Sequence, residues 1–490
     1  MKLSELFFNI EKEIFGDENI EVEGLSYDSR EIFKGYIFFA LKGVHTNGIN
    51  FVKDAILKGA VCVVSQEKIK NINCTNIIVK NITEVMAKVA ARFYDNPDKK
   101  LTIIGVTGTN GKTSITYMLE SILKPLNIEL AVIGTINYRY ANINIPAPNT
   151  TPQSLDLYKM MSDIVKHNIK YLIMEVSSHS LVLGRVFGIE FDIAVWTNLT
   201  QDHLDFHKNM ENYFNAKKIL CDSLCSNVKN NQKFAIINSD DIYGRKIINY
   251  INKNIIILPY SINDKKAKFF ADNVIVTSKG TSFDLIYEKE KARVNVGFIG
   301  LHNVYNVLAC VCICVALGIE FKKIVANISN IVSAPGRLEL VQSNKEFSVL
   351  VDYAHTDDAL RNVLIALNNI KSARIITVFG CGGNRDKTKR PKMAKVACSL
   401  SDCVIITSDN PREENPNEII KDIEVGAKEV GKLNYKIIID RKDAIEYAIS
   451  VAHKNDIVLV AGKGHENYQI IGRDKFHFDD REIVKKILSK

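Results

Sequence analysis

Ile103-Ile-Gly-Val-Thr-Gly108-Thr-Asn-Gly-Lys-Thr113 decides the fold. An apolar run, Leu101 to Ile104, leads straight into a glycine-rich turn, and a helical pattern follows, so the stretch reads as buried strand, turn and helix. Backbone N–H groups of such a turn, with the helix N-terminus behind them, cradle phosphate oxygens. Lys112 is placed to reach β- and γ-phosphates, and the Thr113 hydroxyl to hold a magnesium ion. Val106 stands where the strict pattern has glycine, so the reading rests on Gly108, Thr109, Asn110, Gly111, Lys112 and Thr113. A plain strand-to-helix turn is the bland alternative, and the Gly-Lys-Thr triplet argues against it.

Working outward, short β-branched runs alternate with amphipathic stretches, the signature of an α/β chain with mainly parallel sheets. Strands are expected at Ile103 to Val106, Tyr171 to Val176, Ile193 to Trp196, Phe234 to Ile237, Ser348 to Val351, Ile375 to Phe379, Val404 to Thr407 and Ile457 to Ala461. Polar residues follow most of them, at the strand ends where ligands gather in open α/β sheets. Two turn-rich seams, Asp95 to Lys100 and Ser333 to Gly336, divide the 490 residues into 1–98, 99–333 and 334–490.

Composition narrows the class. Hydrophobic residues make 46% and charged residues 24%, as in a globular enzyme rather than a disordered or fibrous chain. The formal charge of +8 is small for this length and contains no long basic block, so a nucleic-acid partner is not expected, whereas small polyanions suit it. No apolar stretch reaches the roughly 20 residues of a membrane span, and no signal-peptide pattern opens the chain. Ten cysteines lack zinc spacing, and Cys310, Cys312 and Cys314 read as core thiols; a cytoplasmic protein is expected.

Eleven segments, in order, resemble the Mur ligase family of peptidoglycan precursor synthesis. They are Asp28-Ser-Arg30, Gly108 to Thr113, Asn149-Thr-Thr-Pro152, Met174-Glu-Val-Ser-Ser-His179, Thr197 to His207, Gly300-Leu-His-Asn-Val-Tyr-Asn306, Pro335-Gly-Arg337, Val351-Asp-Tyr-Ala-His-Thr356, Gly380-Cys-Gly-Gly-Asn-Arg-Asp-Lys387, Asp409-Asn-Pro-Arg412 and Gly462-Lys-Gly-His-Glu466. The resemblance implies three domains: a UDP-sugar-binding N-terminal one, a central P-loop ATPase and a Rossmann-like C-terminal one. It also implies a monomer using ATP and magnesium.

Glu175 with Thr113 is a sensible magnesium site on chemistry alone, since a hard cation near phosphates takes carboxylate and hydroxyl oxygens. His203, taken alone, is more often a hydrogen-bonding or surface residue, and Lys217, on a helical stretch beside Ile219 and Leu220, is more often solvated. By resemblance, His203 helps bind a second magnesium and Lys217 is carbamoylated to support it; neighbouring Lys218 is the alternative in register. The resemblance further gives Lys112 as the phosphate cation, and His302, Asn303, Asn306, Arg337 and Asp352 around the nucleotide. Ser29, Arg30 and His45 are implied at the UDP end, and Asn149, Thr150, Thr151, Ser177 and Arg185 at the muramoyl peptide. Leu183 stands where relatives can place a glutamine.

Asp409 to Arg412 resembles the motif of family members that add meso-diaminopimelate. Diaminopimelate carries a distal carboxylate that lysine lacks; Arg412 offers it a two-pronged bond and would repel a lysine tip. Arg385, Asn410, Gly462 and Glu466 are the implied companions, with Asn384 and Asp357 departing from the family pattern. The expected reaction is ATP-dependent amide formation on UDP-N-acetylmuramoyl-L-alanyl-D-glutamate through an acyl phosphate. The lysine-adding branch and folate polyglutamate ligation are near alternatives, and a P-loop nucleic-acid-binding ATPase a remote one.

Overall fold

The computed structural model describes residues 1–490 except 44–45, 226–231, 253, 278–279, 333 and 490. His45 and the seam residue Ser333 therefore lie outside the described residues. Three large sheets follow one another along the chain: five strands between Glu13 and Ile78, eleven between Thr102 and Val296, and six between Glu339 and Ala461.

The strand Thr102–Thr107 lies inside the central sheet, parallel to Tyr171–Glu175 on one side and to Ile193–Trp196 on the other. Successive strand side chains point to opposite faces. Ile103, Leu172 and Trp196 accordingly join one core cluster, while Ile104, Ile173 and Val195 join the cluster on the other face. Burial on both faces makes the sequence runs continuously apolar rather than alternating. Val106 is explained here: it is a strand residue with its side chain in the core, and the turn proper begins after it.

All eight expected strands form, within a residue or two at their ends. Antiparallel flanks extend the parallel centre: Asn137–Tyr140 and Ile143–Pro146 at one edge, and Phe269–Thr277, Gly280–Tyr287 and Glu290–Val296 at the other. Helices Lys112–Leu123 and Leu301–Ala316 pack on one face, with Ile115, Met118, Val307 and Val311 in the shared core. Cys310, Cys312 and Cys314 are fully buried there, as small hydrophobes.

On the opposite face, Gly105 lets the helix Met210–Ser223 come close. A Cβ at Gly105 would stand 2.8 Å from both Leu220 Cδ1 and Phe191 Cε1, so a side chain there would force the packing between helix and sheet to shift. The close approach matters because Lys217 lies three residues before Leu220, almost one turn back along the same helix.

In the last sheet, Ser348–Asp352, Ile457–Ala461, Ile375–Phe379, Cys403–Ile406 and Tyr435–Ile437 run parallel in that spatial order, with Glu339–Val341 antiparallel at the edge. Two side-chain bonds tie the three parts together: Tyr27 donates to Asp156 at 2.6 Å, and Thr200 donates to Asp358 at 2.9 Å. The second brings the carboxyl edge of the central sheet against that of the last sheet. Among the described residues, no helix is long and apolar enough to cross a membrane.

Candidate active site

The phosphate loop depends on two glycines with positive φ. At Gly108 (φ 144°) a Cβ would lie 1.8 Å from Thr197 Oγ1, and at Gly111 (φ 93°) it would lie 2.5 Å from Asn306 Oδ1, so neither position tolerates a side chain. Asn306 thereby sits against the loop, and its amide donates to Asn303 Oδ1 at 3.3 Å. Lys112 donates to the carbonyls of Gly108 and Thr109 at 2.8 and 2.9 Å. Burial lowers its pKa, against the opposing pull of Glu175 and Asp202.

Glu175 ends its strand almost fully buried and accepts three hydrogen bonds. Thr113 Oγ1 donates to Oε2 at 2.9 Å, Thr135 Oγ1 to the same oxygen at 2.9 Å, and Thr135 N–H to Oε1 at 2.8 Å. Thr135 was not among the expected site residues. Its signal was weak, a Gly-Thr pair after the apolar run Leu130 to Ile133; a Cβ on Gly134 would stand 2.5 Å from Glu175 Oε1.

Lys217 departs most from its solvated sequence reading. It is 2% exposed, and Nζ donates to Gly108 O at 2.8 Å, beneath the phosphate loop. Burial pushes its pKa well down, with Lys112 adding to the shift, and both effects favour the uncharged amine. Lys218 points elsewhere, paired with Asp222 at 2.9 Å and lying 3.7 Å from the Tyr250 ring centroid. His203 (φ 52°) stands beside Asp202 at 3.3 Å and 4.9 Å from the His179 ring; burial lowers its pKa.

A cavity of about 340 Å³ collects Lys112, Thr113, Glu175, His203, Lys217, His302, Asn303, Asn306, Arg337 and Asp352. Thr150 and Ser177 line it too. Asp352 accepts from the backbone N–H groups of Leu338 and Ala354 at 2.7 and 2.8 Å, which fixes its carboxylate at the cavity wall, while burial raises its pKa. Arg337 lies 4.7 Å from the Tyr353 ring.

A second cavity, about 660 Å³, adjoins the first and is lined by Arg385, Asn410, Arg412, Gly462 and Glu466. Arg412 holds a left-handed backbone (φ 53°), stabilised because its N–H donates to Ile470 O at 3.0 Å and its carbonyl accepts from Gly472 N at 2.8 Å. Its guanidinium, half-buried, donates to Gly383 O at 2.9 Å. Asn384, the departure from pattern beside Arg385, accepts from Glu413 N at 3.3 Å and so still ties the two loops; Asp357 opens the helix Asp357–Asn368 and lines this cavity.

The remaining expected residues lie away from both cavities or at their edge. Arg185 donates to Thr151 O at 3.0 Å, and Thr151 Oγ1 donates to the backbone carbonyl of Glu175 at 2.8 Å, linking the muramoyl-type segments to the end of the strand that carries Glu175. Asn149 accepts from Tyr138 through its carbonyl. Ser29 is buried, and Arg30 is exposed with its guanidinium 2.6 Å from Asp28; neither touches the cavities. Leu183 is half-exposed.

Three family profiles match the chain: "Mur ligase family, catalytic domain" over residues 21–94, "Mur ligase middle domain" over 106–314, and "Mur ligase, glutamate ligase domain" over 336–464. A UDP-N-acetylmuramoyl-L-alanyl-D-glutamate–2,6-diaminopimelate ligase of Clostridium acetobutylicum is 45% identical, covering 100% of both chains. One from Fusobacterium nucleatum is 44% identical over 98% of this chain and 97% of its own. A solved structure of a ligase with that same name is 32% identical, covers 100% of this chain and 99% of its own, and superposes with a TM-score of 0.71. A MurF ligase of Thermotoga maritima, 16% identical with a TM-score of 0.65, shares the fold. With profiles across most of its length and full-length relatives above 40% identity, the chain belongs to the Mur ligase family.

Proposed function

We propose that this chain uses ATP to join the γ-carboxylate of UDP-N-acetylmuramoyl-L-alanyl-D-glutamate to an amine of meso-diaminopimelate. One observation carries the reading: Asp202, His203, Tyr353, His355 and Thr356 line both cavities. A phosphate-type site thus opens onto a site whose charges match a zwitterionic amino acid. The full-length relatives that carry this activity in their names support the same choice.

In the reaction, a carboxylate oxygen attacks the γ-phosphorus and ADP leaves, giving an acyl phosphate. The uncharged amine then adds to the acyl carbon, loses a proton, and the tetrahedral intermediate expels phosphate. Lys112, released from the Gly108 and Thr109 carbonyls, would follow the transferring phosphoryl group, and Arg337 would add a second cation. Magnesium, when bound, would neutralise phosphate charge. The buried oxygen pair of Thr113 and Glu175 suits one such hard ion, and His203 with Lys217 as its carbamate would hold the other. Lys217 fits that modification because an uncharged amine is the form that adds to carbon dioxide. Closure of the junction around the substrates would keep water from the acyl phosphate.

We divide the chain at 98/99 and 333/334, in keeping with the three successive sheets. One chain carries both cavities, so a monomer suffices. The ten free cysteines suit a cytoplasmic, reducing setting.

A mass-resolved assay offering UDP-muramoyl dipeptide, ATP and mixed amino acids tests the reading; the expected product carries diaminopimelate. Product carrying lysine would move the chain to the other branch, and no product at all would remove the ligase reading. Arg412→Ala is expected to lower the preference for diaminopimelate over lysine. Alanine inherits the same positive-φ cost, so the backbone reference is unchanged. Leaving a desolvated carboxylate without its partner costs about 2 to 5 kcal/mol. That is at least about tenfold in affinity. The ratio of the two kcat/KM values is the measurement, and an unchanged ratio means that Arg412 does not select the amino acid.

A further inference from the structure

We propose that Lys463 is a positioning residue for the incoming amino acid: its buried ammonium fixes Asn410 and Glu466 so that one Glu466 oxygen is left to take the ligand's distal ammonium. The proposal rests on the amino-acid reading of the second cavity.

Lys463 follows the strand Ile457–Ala461 and is 0% exposed. Its Nζ donates to Asn410 Oδ1 and to Glu466 Oε2, both at 3.2 Å. Asn410 Oδ1 also accepts from Ile470 N–H at 3.0 Å, so two donors face that oxygen and only one orientation of the amide satisfies them. The amide nitrogen is thereby turned toward Glu466 and donates to Oε2 at 2.9 Å. Both bonds to Glu466 fall on Oε2. Oε1 accepts none among the described residues, in a side chain that lines the cavity and is 16% exposed.

Charge points the same way. Burial raises the pKa of Glu466 and nearby Asp409 adds to the rise; Lys463 is the first influence opposing them. Without that ammonium, a partly buried carboxylate beside another carboxylate shifts toward its neutral form, and the amide of Asn410 loses one of the two donors that orient it. A neutral or misdirected Glu466 holds a distal ammonium poorly. This ammonium is common to diaminopimelate and lysine, so Lys463 should affect the two equally, unlike Arg412.

The test is initial-rate kinetics on the full chain with Lys463→Met and Lys463→Gln, varying diaminopimelate, lysine, ATP and UDP-muramoyl dipeptide in turn. In K463M the KM for diaminopimelate should rise at least tenfold. The KM values for ATP and sugar nucleotide should stay within about twofold, and the diaminopimelate-to-lysine ratio of kcat/KM should be unchanged. K463Q retains a donor for Asn410 without the charge; an intermediate rise is expected, and it serves as the measurement if K463M does not fold. A parent that fails to ligate diaminopimelate removes the functional reading and this proposal with it. A parent that ligates it, with variants of unchanged or lower KM for diaminopimelate, or with all KM values rising together, overturns the role of Lys463 alone.

Discussion

Glu175→Ala and Lys112→Ala should each give a folded protein whose ligation rate is lower on the order of 100-fold or more, the usual cost of removing a metal or phosphate contact made in the transition state. The geometry sharpens the experiment for Glu175. Alanine there also strips the acceptor from Thr135 N–H and from the Thr113 and Thr135 hydroxyls, which is a structural loss in a buried place. Glu175→Gln keeps the shape and one acceptor oxygen while removing the charge. Activity should fall in the glutamine variant too, with a melting temperature near that of the parent. Near-parental turnover of either Glu175 variant at saturating ATP and magnesium would remove Glu175 from the reacting centre; the same result for Lys112→Ala would remove Lys112.

The ease with which Lys112 and Glu175 were found, compared with Lys217 or Thr135, follows from what a linear pattern records. Strands buried on both faces write themselves as apolar runs, and Gly108 and Gly111 are demanded by the turn itself, so the loop and its sheet were legible. Glu175 was legible because it ends such a run. Lys217 was not, because helical position alone leaves a lysine on either face. Its burial depends on Gly105, over a hundred residues earlier, whose missing side chain lets the helix Met210–Ser223 settle onto the sheet. Resemblance to a family supplied that residue; composition and spacing did not. Thr135 lies on a turn whose only mark is a glycine, and its closeness to Glu175 comes from the parallel pairing of Leu130–Ile133 with Tyr171–Glu175. Lys463 was quoted within a motif yet given no role, since a lysine between two glycines says nothing of the partners it meets. The shared wall of the two cavities was likewise beyond the sequence: it needs the Thr200 to Asp358 contact that sets one sheet edge against another. The antiparallel flanks of the central sheet are less legible, since the sequence singles out the runs that lead into polar motifs.

Lys217→Ala should be inactive, with a loss on the order of 100-fold or more if the residue supports a metal ion, while Lys218→Ala should work almost normally. The two lysines are adjacent in sequence and opposite in circumstance. Lys217 is sealed beneath the phosphate loop, 2.8 Å from the Gly108 carbonyl, in a setting that disfavours its charge. Lys218 keeps a partly buried ion pair with Asp222, away from the phosphate loop. A buried amine used only to brace Gly108 would be mimicked by a neutral donor, so Lys217→Gln should retain activity under that simpler role. A carbamate would not be mimicked by glutamine, which brings neither the charge nor a second acceptor oxygen. Short-chain carboxylic acids, entering the space left by alanine, would restore part of the rate to Lys217→Ala. Addition of acetate or propionate to the three variants separates the cases. Rescue of Lys217→Ala with an inactive glutamine variant supports the carbamate; an active glutamine variant without rescue leaves Lys217 as a brace for the loop. Full activity in Lys217→Ala would remove the residue from the site altogether.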